Sequence, residues 1–199
     1  LLGVVLAVRD GVAGWYLVPL FAFWMLGYLA FHAASGWLKA PPARRRGWLT
    51  PLVTYAGLSA AFGVLTLVLG GWAMLGWVPA YLALLLPALL LASRRRERAT
   101  LGGALTVAAA SLMAVVARHP DPSSLRADPG PGSPLVVAGL VFAYFFGTVL
   151  YVKTNIRERG HRAFLVGSVA WHAAATLAGV ALSLGAGWPA WWAVFFGLA

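Results

Sequence analysis

"LVVAGLVFAYFFGTVLYVKTNIRERGHR", residues 135–162, passes from hydrocarbon to concentrated charge along one continuous helical pattern. Residues 135–152 carry no charge at all, and the next ten hold Lys153, Arg157, Glu158, Arg159, His161 and Arg162. A bilayer core of about 30 Å needs roughly 20 apolar residues of helix, so the first part reads as a span and the second as its wet end. Gly160 reads as the left-handed residue that closes the helix. Arg157 and Arg159 then fall in the last turn, where the helix dipole favours cations. The pattern predicts a helical membrane protein.

The rest of the chain repeats that pattern. Of its 199 residues, 61% are hydrophobic and 10% charged, against about 45–50% and about 25% in soluble domains. Runs of span length or near it fall at 12–38, 50–69, 75–92, 100–117, 135–152 and 164–184. A partial helix over 1–8 precedes them, and 188–199 begins or completes an eighth. Pro79 and Pro87 are expected to kink the fourth helix, which neighbouring helices tolerate. No stretch alternates with period two for long. The predicted fold is therefore all-α, a single multi-pass transmembrane bundle of seven to eight helices. The sequence starts at Leu1 inside an apolar run, without the basic start and cleavage site of a signal peptide. It reads as N-terminally truncated within its first helix. Thirteen of the fifteen basic residues are Arg, and Ala, Gly and Leu abound, which suggests a bacterial, GC-rich source.

Charge predicts orientation. Lys39 to Arg46 carries four positive charges, while 94–98 and 153–162 each carry four positive and one negative. Their sum, +4 +3 +3, is the whole net charge of +10. In the other connections Arg9 offsets Asp10, and Arg118 and Arg126 offset Asp121 and Asp128. Such alternation is what the positive-inside rule describes. It places the segments after helices two, four and six in the cytoplasm and the protein in a bacterial inner membrane. Topology and snorkelling account for "ARRR" at 43–46 and "RRRER" at 94–98. They also explain the basic balance without nucleic acid.

The third basic segment continues a polar stripe. Tyr144, Thr148, Tyr151, Asn155 and Glu158 recur at spacings of four and three, on one helical face. Ser168, His172 and Thr176 form a stripe on the next helix, and Tyr28, His32, Ser35 and Lys39 another on the second. Ionisable residues within a span usually face the bundle or a wet cavity. At about 1.5 Å per residue, His32 and His172 lie roughly 10–15 Å below the basic surface, in the matching contexts "AFHAA" and "AWHAA". The expectation is a cytoplasm-facing pocket between helices two, six and seven. Its candidate polar lining is Tyr28, His32, Ser35, Tyr144, Thr148, Tyr151, Asn155, Glu158, Ser168 and His172. Its candidate anion-binding rim is Lys39, Lys153, Arg157, Arg159 and Arg162, since Arg pairs planar oxyanions in bidentate fashion. The plainer alternative makes the histidines packing residues between helices, with small Ala neighbours allowing close approach.

Several chemistries have no residues to carry them. The chain has no Cys, which removes disulfides and thiolate chemistry. No carboxylate falls in a predicted span, against a buried Asp or Glu relay. No acidic pair is placed to hold Mg²⁺ on a diphosphate. Four His without Cys give no zinc spacing, no nucleophile motif is present, and the Gly runs lack the lysine of a phosphate loop. No cofactor is expected. The stretch 118–134 reads as an external Pro/Gly/Asp linker.

"YFFGTVLYVKTNIRERGHRAF" and the following "SVAWHAA", with "GYLAFHAASGWLK" and "SRRRERA", resemble the YwiC-like integral membrane proteins of bacteria. The resemblance spans nearly the whole chain, and "LYVKTNIRERG" is its most specific part. It implies a multi-pass membrane location and carries no established activity. The family's His-Gly-Ala-Trp-type stretch near the start is missing here, in keeping with a chain that begins inside its first helix. A fainter similarity is to UbiA-type prenyltransferases. Where those place Asp pairs for Mg²⁺, this chain has "KAPPARRR" and "KTNIRERGHR", which leaves only Arg-based recognition of a phosphorylated lipid. Two function classes follow. One is binding or modification of an anionic lipid or isoprenoid, and the other is a small transporter or permease of an organic anion with proton-sensitive histidines.

Overall fold

The computed structural model describes residues 2–9, 11, 13–96, 99–127, 133–186 and 194. These form seven α-helices: α1 Leu2–Arg9, α2 Leu17–Lys39, α3 Pro42–Gly70, α4 Val78–Ser93, α5 Thr100–Arg118, α6 Pro134–Ile156 and α7 Arg162–Gly185. Short 3₁₀ helices at Trp72–Trp77 and Pro122–Ala127 precede α4 and follow α5. The described residues contain no strand. Among the described residues six segments are long and apolar enough to cross a membrane, the third being Trp72–Ser93 with its 3₁₀ turn. The expected count of seven to eight is thus corrected to six. α1 has eight residues, too few to span, and the eighth helix expected at 188–199 lies outside the described residues apart from Val194.

The chain divides into two compact units, Leu1–Ala127 and Asp128–Ala199. In the first, α2 and α3 form an antiparallel hairpin broken at Ala40–Pro41, where an extended Ala40 precedes proline. Small residues let the two helices close on each other, as lipid-bound helices require. Ser59 Oγ donates to the Phe23 carbonyl at 3.0 Å, and a side chain at Gly36 would come within 2.6 Å of the Trp48 ring. At the other end, Tyr16 donates to the Ala117 carbonyl at 2.7 Å and Trp77 Nε1 to the His119 carbonyl at 2.8 Å. These bonds satisfy terminal carbonyls of α5 that have no helical partner.

Two expectations about helix ends change. α3 starts at Pro42 instead of residue 50, so Arg44, Arg45 and Arg46 are helical and Pro51 is internal. Proline suits a first helical position, its ring presetting the backbone. At about 1.5 Å per residue the helix is about 43 Å long, more than a bilayer core, so its basic first turns project beyond the hydrocarbon. Pro79 lies in the first turn of α4 and needs no kink, while Pro87 is inside that helix as expected.

In the second unit α6 packs on α7. Leu140 and Ala175 form its buried centre, with Ala143, Tyr144 and Leu182 against them. Trp171 stacks edge-on to Phe142 and Phe146, at 6.1 and 5.0 Å between ring centres. Its Nε1 donates to the Ala143 carbonyl at 2.9 Å.

Candidate functional site

The basic clusters of the first unit meet at one end. The Arg45 guanidinium lies 5.3 Å from the Trp37 ring centre, and its Nε donates to the Ala40 carbonyl at 3.2 Å. Arg95 reaches the Lys39 carbonyl through a long contact of 3.5 Å. Two cations thus approach the C-terminal carbonyls of α2, where the helix dipole is negative. Arg95 is itself held at φ 55°. Arg95 N–H donates to Ala92 at 2.9 Å and Arg96 N–H to Leu91 at 2.7 Å. That pair of bonds is a Schellman cap, usually closed by Gly.

The stripe on α2 is divided. Ser35 is buried and Tyr28 is 54% exposed. His32 is exposed and sets its ring edge-on to Trp48 at 6.1 Å between centres. Lys39 is half-buried at the helix end.

In the second unit α6 stops at Ile156, capped by Arg157, because the Lys153 carbonyl accepts from both the Arg157 and Glu158 N–H groups at 2.9 Å. Glu158 and Arg159 therefore sit in the turn instead of on the helix as expected. Gly160 is left-handed, at φ +87°, but it lies in the turn four residues beyond Ile156 and does not close the helix as expected. Arg162 opens α7, and Arg157, Arg159, His161 and Arg162 are all exposed. The polar stripe is partly turned onto its own helix. Thr148 donates to Phe145 at 2.7 Å and Asn155 to Tyr151 at 2.9 Å. Tyr144 packs on the Leu140–Ala175 centre while Tyr151 is 58% exposed. On α7, Ser168 is buried, His172 Nδ1 donates to the Ser168 carbonyl at 2.7 Å and Thr176 to the His172 carbonyl at 2.8 Å. A carbonyl only accepts, so the His172 proton is on Nδ1. Its Nε2 is buried without a hydrogen-bond partner, and a Cβ at Gly147 would lie 2.9 Å from it. His172 thus has the packing contact of the plainer reading. His32 and Lys39 belong to one unit, and the α6 and α7 stripes to the other.

The first unit also holds a cavity of about 680 Å³, to which the α2 polar stripe contributes Tyr28 but not His32, Ser35 or Lys39. α2 contributes Phe23, Trp24, Gly27, Tyr28 and Phe31, and α3 Ala60 to Leu67. The segment Met74–Leu85 adds Trp77 and Tyr81, and α5 adds Thr106, Ala109, Ala110, Met113 and Val116. None of the lining residues is charged. The cavity stands away from the basic end, since Phe31 is eight residues before Lys39, about 12 Å along the helix. The available signal was aromatic instead of polar: Phe23, Gly27 and Phe31 at spacings of four, beside Trp24 and Tyr28. On the neutral side, the Ser123 N–H donates to Asp121 at 2.8 Å and holds its carboxyl below the usual range. His119 Nδ1 lies 2.6 Å from Ser124 Oγ. The described residues contain no cluster able to hold a metal.

Six apolar helices with basic clusters at helix ends define a multi-pass membrane protein. Residues 1–118 match the YwiC-like protein family, and the chain belongs to it. The match covers the first unit nearly completely rather than nearly the whole chain, and it leaves "LYVKTNIRERG", the stretch expected to be most specific, outside it. No curated protein and no solved structure matches the chain.

Proposed function

We propose that the protein binds, for modification or presentation, an anionic lipid or phosphorylated isoprenoid at its basic, cytoplasmic face in a bacterial inner membrane. One observation carries this reading: α7 begins with Arg162, exposed like its neighbours Arg157, Arg159 and His161, and has no acidic residue in its first turn. A helix N-terminus is already positive and ordinarily attracts acidic groups. Cations stacked on it are relieved by an external oxyanion, and helix N-termini with Arg are suited to phosphate. In the second unit the proposed rim is Lys153, Arg157, Arg159 and Arg162, and in the first unit Lys39 lies at a basic end of its own. The tails of such a ligand lie in the bilayer, as its chemistry demands.

The test measures thermal stabilisation of the whole chain in detergent by a polyprenyl phosphate, by phosphatidylglycerol and by phosphatidylcholine. Polyprenyl phosphate is expected to stabilise most. Arg157, Arg159 and Arg162 changed together to Lys keep the charge and lose the planar fork, and a lost charged hydrogen bond corresponds to roughly a ten- to hundredfold weaker binding. Arg94 and Arg96 to Lys is the control, with Arg95 spared because it touches Lys39. Equal stabilisation by all three lipids, or equal tolerance of both sets, would reduce the clusters to topology signals.

A further inference from the structure

The cavity of the first unit asks for a different ligand from the basic face. Its volume, about 680 Å³, is in the range of small-molecule sites, roughly 300–1,000 Å³. Every residue lining it falls within the segment matched to the family, residues 1–118. Its walls carry no charge, so an ionised headgroup would enter without compensation at a large desolvation cost. Trp24, Tyr28, Phe31 and Tyr81 offer ring faces and edges, Trp24 and Tyr81 standing 6.0 Å apart at 58°. Aromatic groups pair favourably with other rings in such tilted arrangements.

One polar group there lacks a partner. The Tyr81 hydroxyl is buried and makes no hydrogen bond within the protein. A buried hydroxyl in that state is costly, and the bilayer supplies no water to relieve it. Tyr81 is among the residues lining the cavity, and a small turn of its ring would present the hydroxyl to an acceptor among the cavity's contents. An alkane tail cannot do this, because it has no acceptor. A carbonyl oxygen can.

We propose that this cavity is a binding site for an uncharged, lipid-soluble molecule bearing a ring and a carbonyl oxygen, with the Tyr81 hydroxyl as its hydrogen-bond donor. The site is independent of the basic face: it lies in the other half of the unit and needs none of the arginines.

The test uses the whole chain in lipid nanodiscs and a benzophenone with an alkyl tail, whose photoexcited ketone inserts into nearby C–H bonds. Peptide mass spectrometry reads the position. Saturable labelling is expected at Met113 and Met74, two cavity side chains. An alkyl phenyl ketone should compete about tenfold better than the alkylbenzene of equal length, the factor expected for one net hydrogen bond. Tyr81→Phe should erase that difference, and Ala110→Phe, which fills the space, should abolish labelling at both methionines. Helical content and melting of each variant establish that it is folded. If Tyr81→Phe fails to fold, the two competitors on the unaltered chain still decide. Labelling spread over the outer faces of α3 and α6 would mean the cavity holds bilayer lipid only and would overturn the proposal. Equal competition by ketone and hydrocarbon would overturn the assignment of a carbonyl ligand.

Discussion

Arg95 shows how a basic loop residue can hold a fold together without binding anything external. It occupies a left-handed position that costs a side-chain-bearing residue about 1–2 kcal/mol, and its guanidinium reaches the end of α2. Arg95→Ala should lose the contact and keep the strain, whereas Arg95→Gly should lose the contact and release the strain. The glycine variant is therefore expected to be more stable than the alanine variant by about 1 kcal/mol, read from unfolding in mixed micelles. Equal stability would mean that the left-handed turn is not populated. In the sequence, "RRRER" shows only charge, because a Schellman turn is usually announced by Gly and none is present there.

At the scale of the elements, close helix approach decides more than polarity does. The His172 ring rests on Gly147, where a Cβ would stand 2.9 Å from Nε2. Gly147→Ala should destabilise the α6–α7 pair by about 1–3 kcal/mol, the usual cost of overpacking. Adding His172→Ala should restore part of that loss, because the clash partner is gone. Additive losses in a double-mutant cycle of thermal stability would argue against the contact. The existence of α2 to α7 was legible from runs of apolar length. The start of α3 was not, because "PPARRRGW" looks like a polar loop, although Pro42 starts a helix well and the arginines project beyond the hydrocarbon.

For the whole molecule the distribution of charge predicts orientation. Single cysteines at Ala43, Ser93 and His161 should resist an impermeant thiol reagent in intact cells and react after permeabilisation. A cysteine at Ser123, exposed beside the neutral 3₁₀ turn, should react in intact cells. The opposite pattern would invert the topology and move the proposed anion site to the outer face. The contact between Arg95 and Lys39 already gathers the ends of α2 and α4 at one side of the first unit, as the alternation of charged and neutral connections requires.

Hydropathy and charge are local quantities, so the sequence alone determined the all-helical class, the existence of the apolar helices α2 to α7, the basic ends and the membership in a membrane family. The left-handed backbone at Gly160 was legible as a glycine turn, although α6 ends four residues before it. Tertiary structure alone decided that His172 packs on Gly147, that His32 meets Trp48 and that Arg95 caps α2 across 56 residues of separation. It also opened the aromatic cavity around Tyr81, whose walls come from α2, α3, α4 and α5. In lipid an apolar face costs nothing whether it meets a helix or an acyl chain, so hydrophobicity does not encode which faces pair. Pairing follows from small residues and single hydrogen bonds, and their partners lie too far along the chain for any local pattern to name.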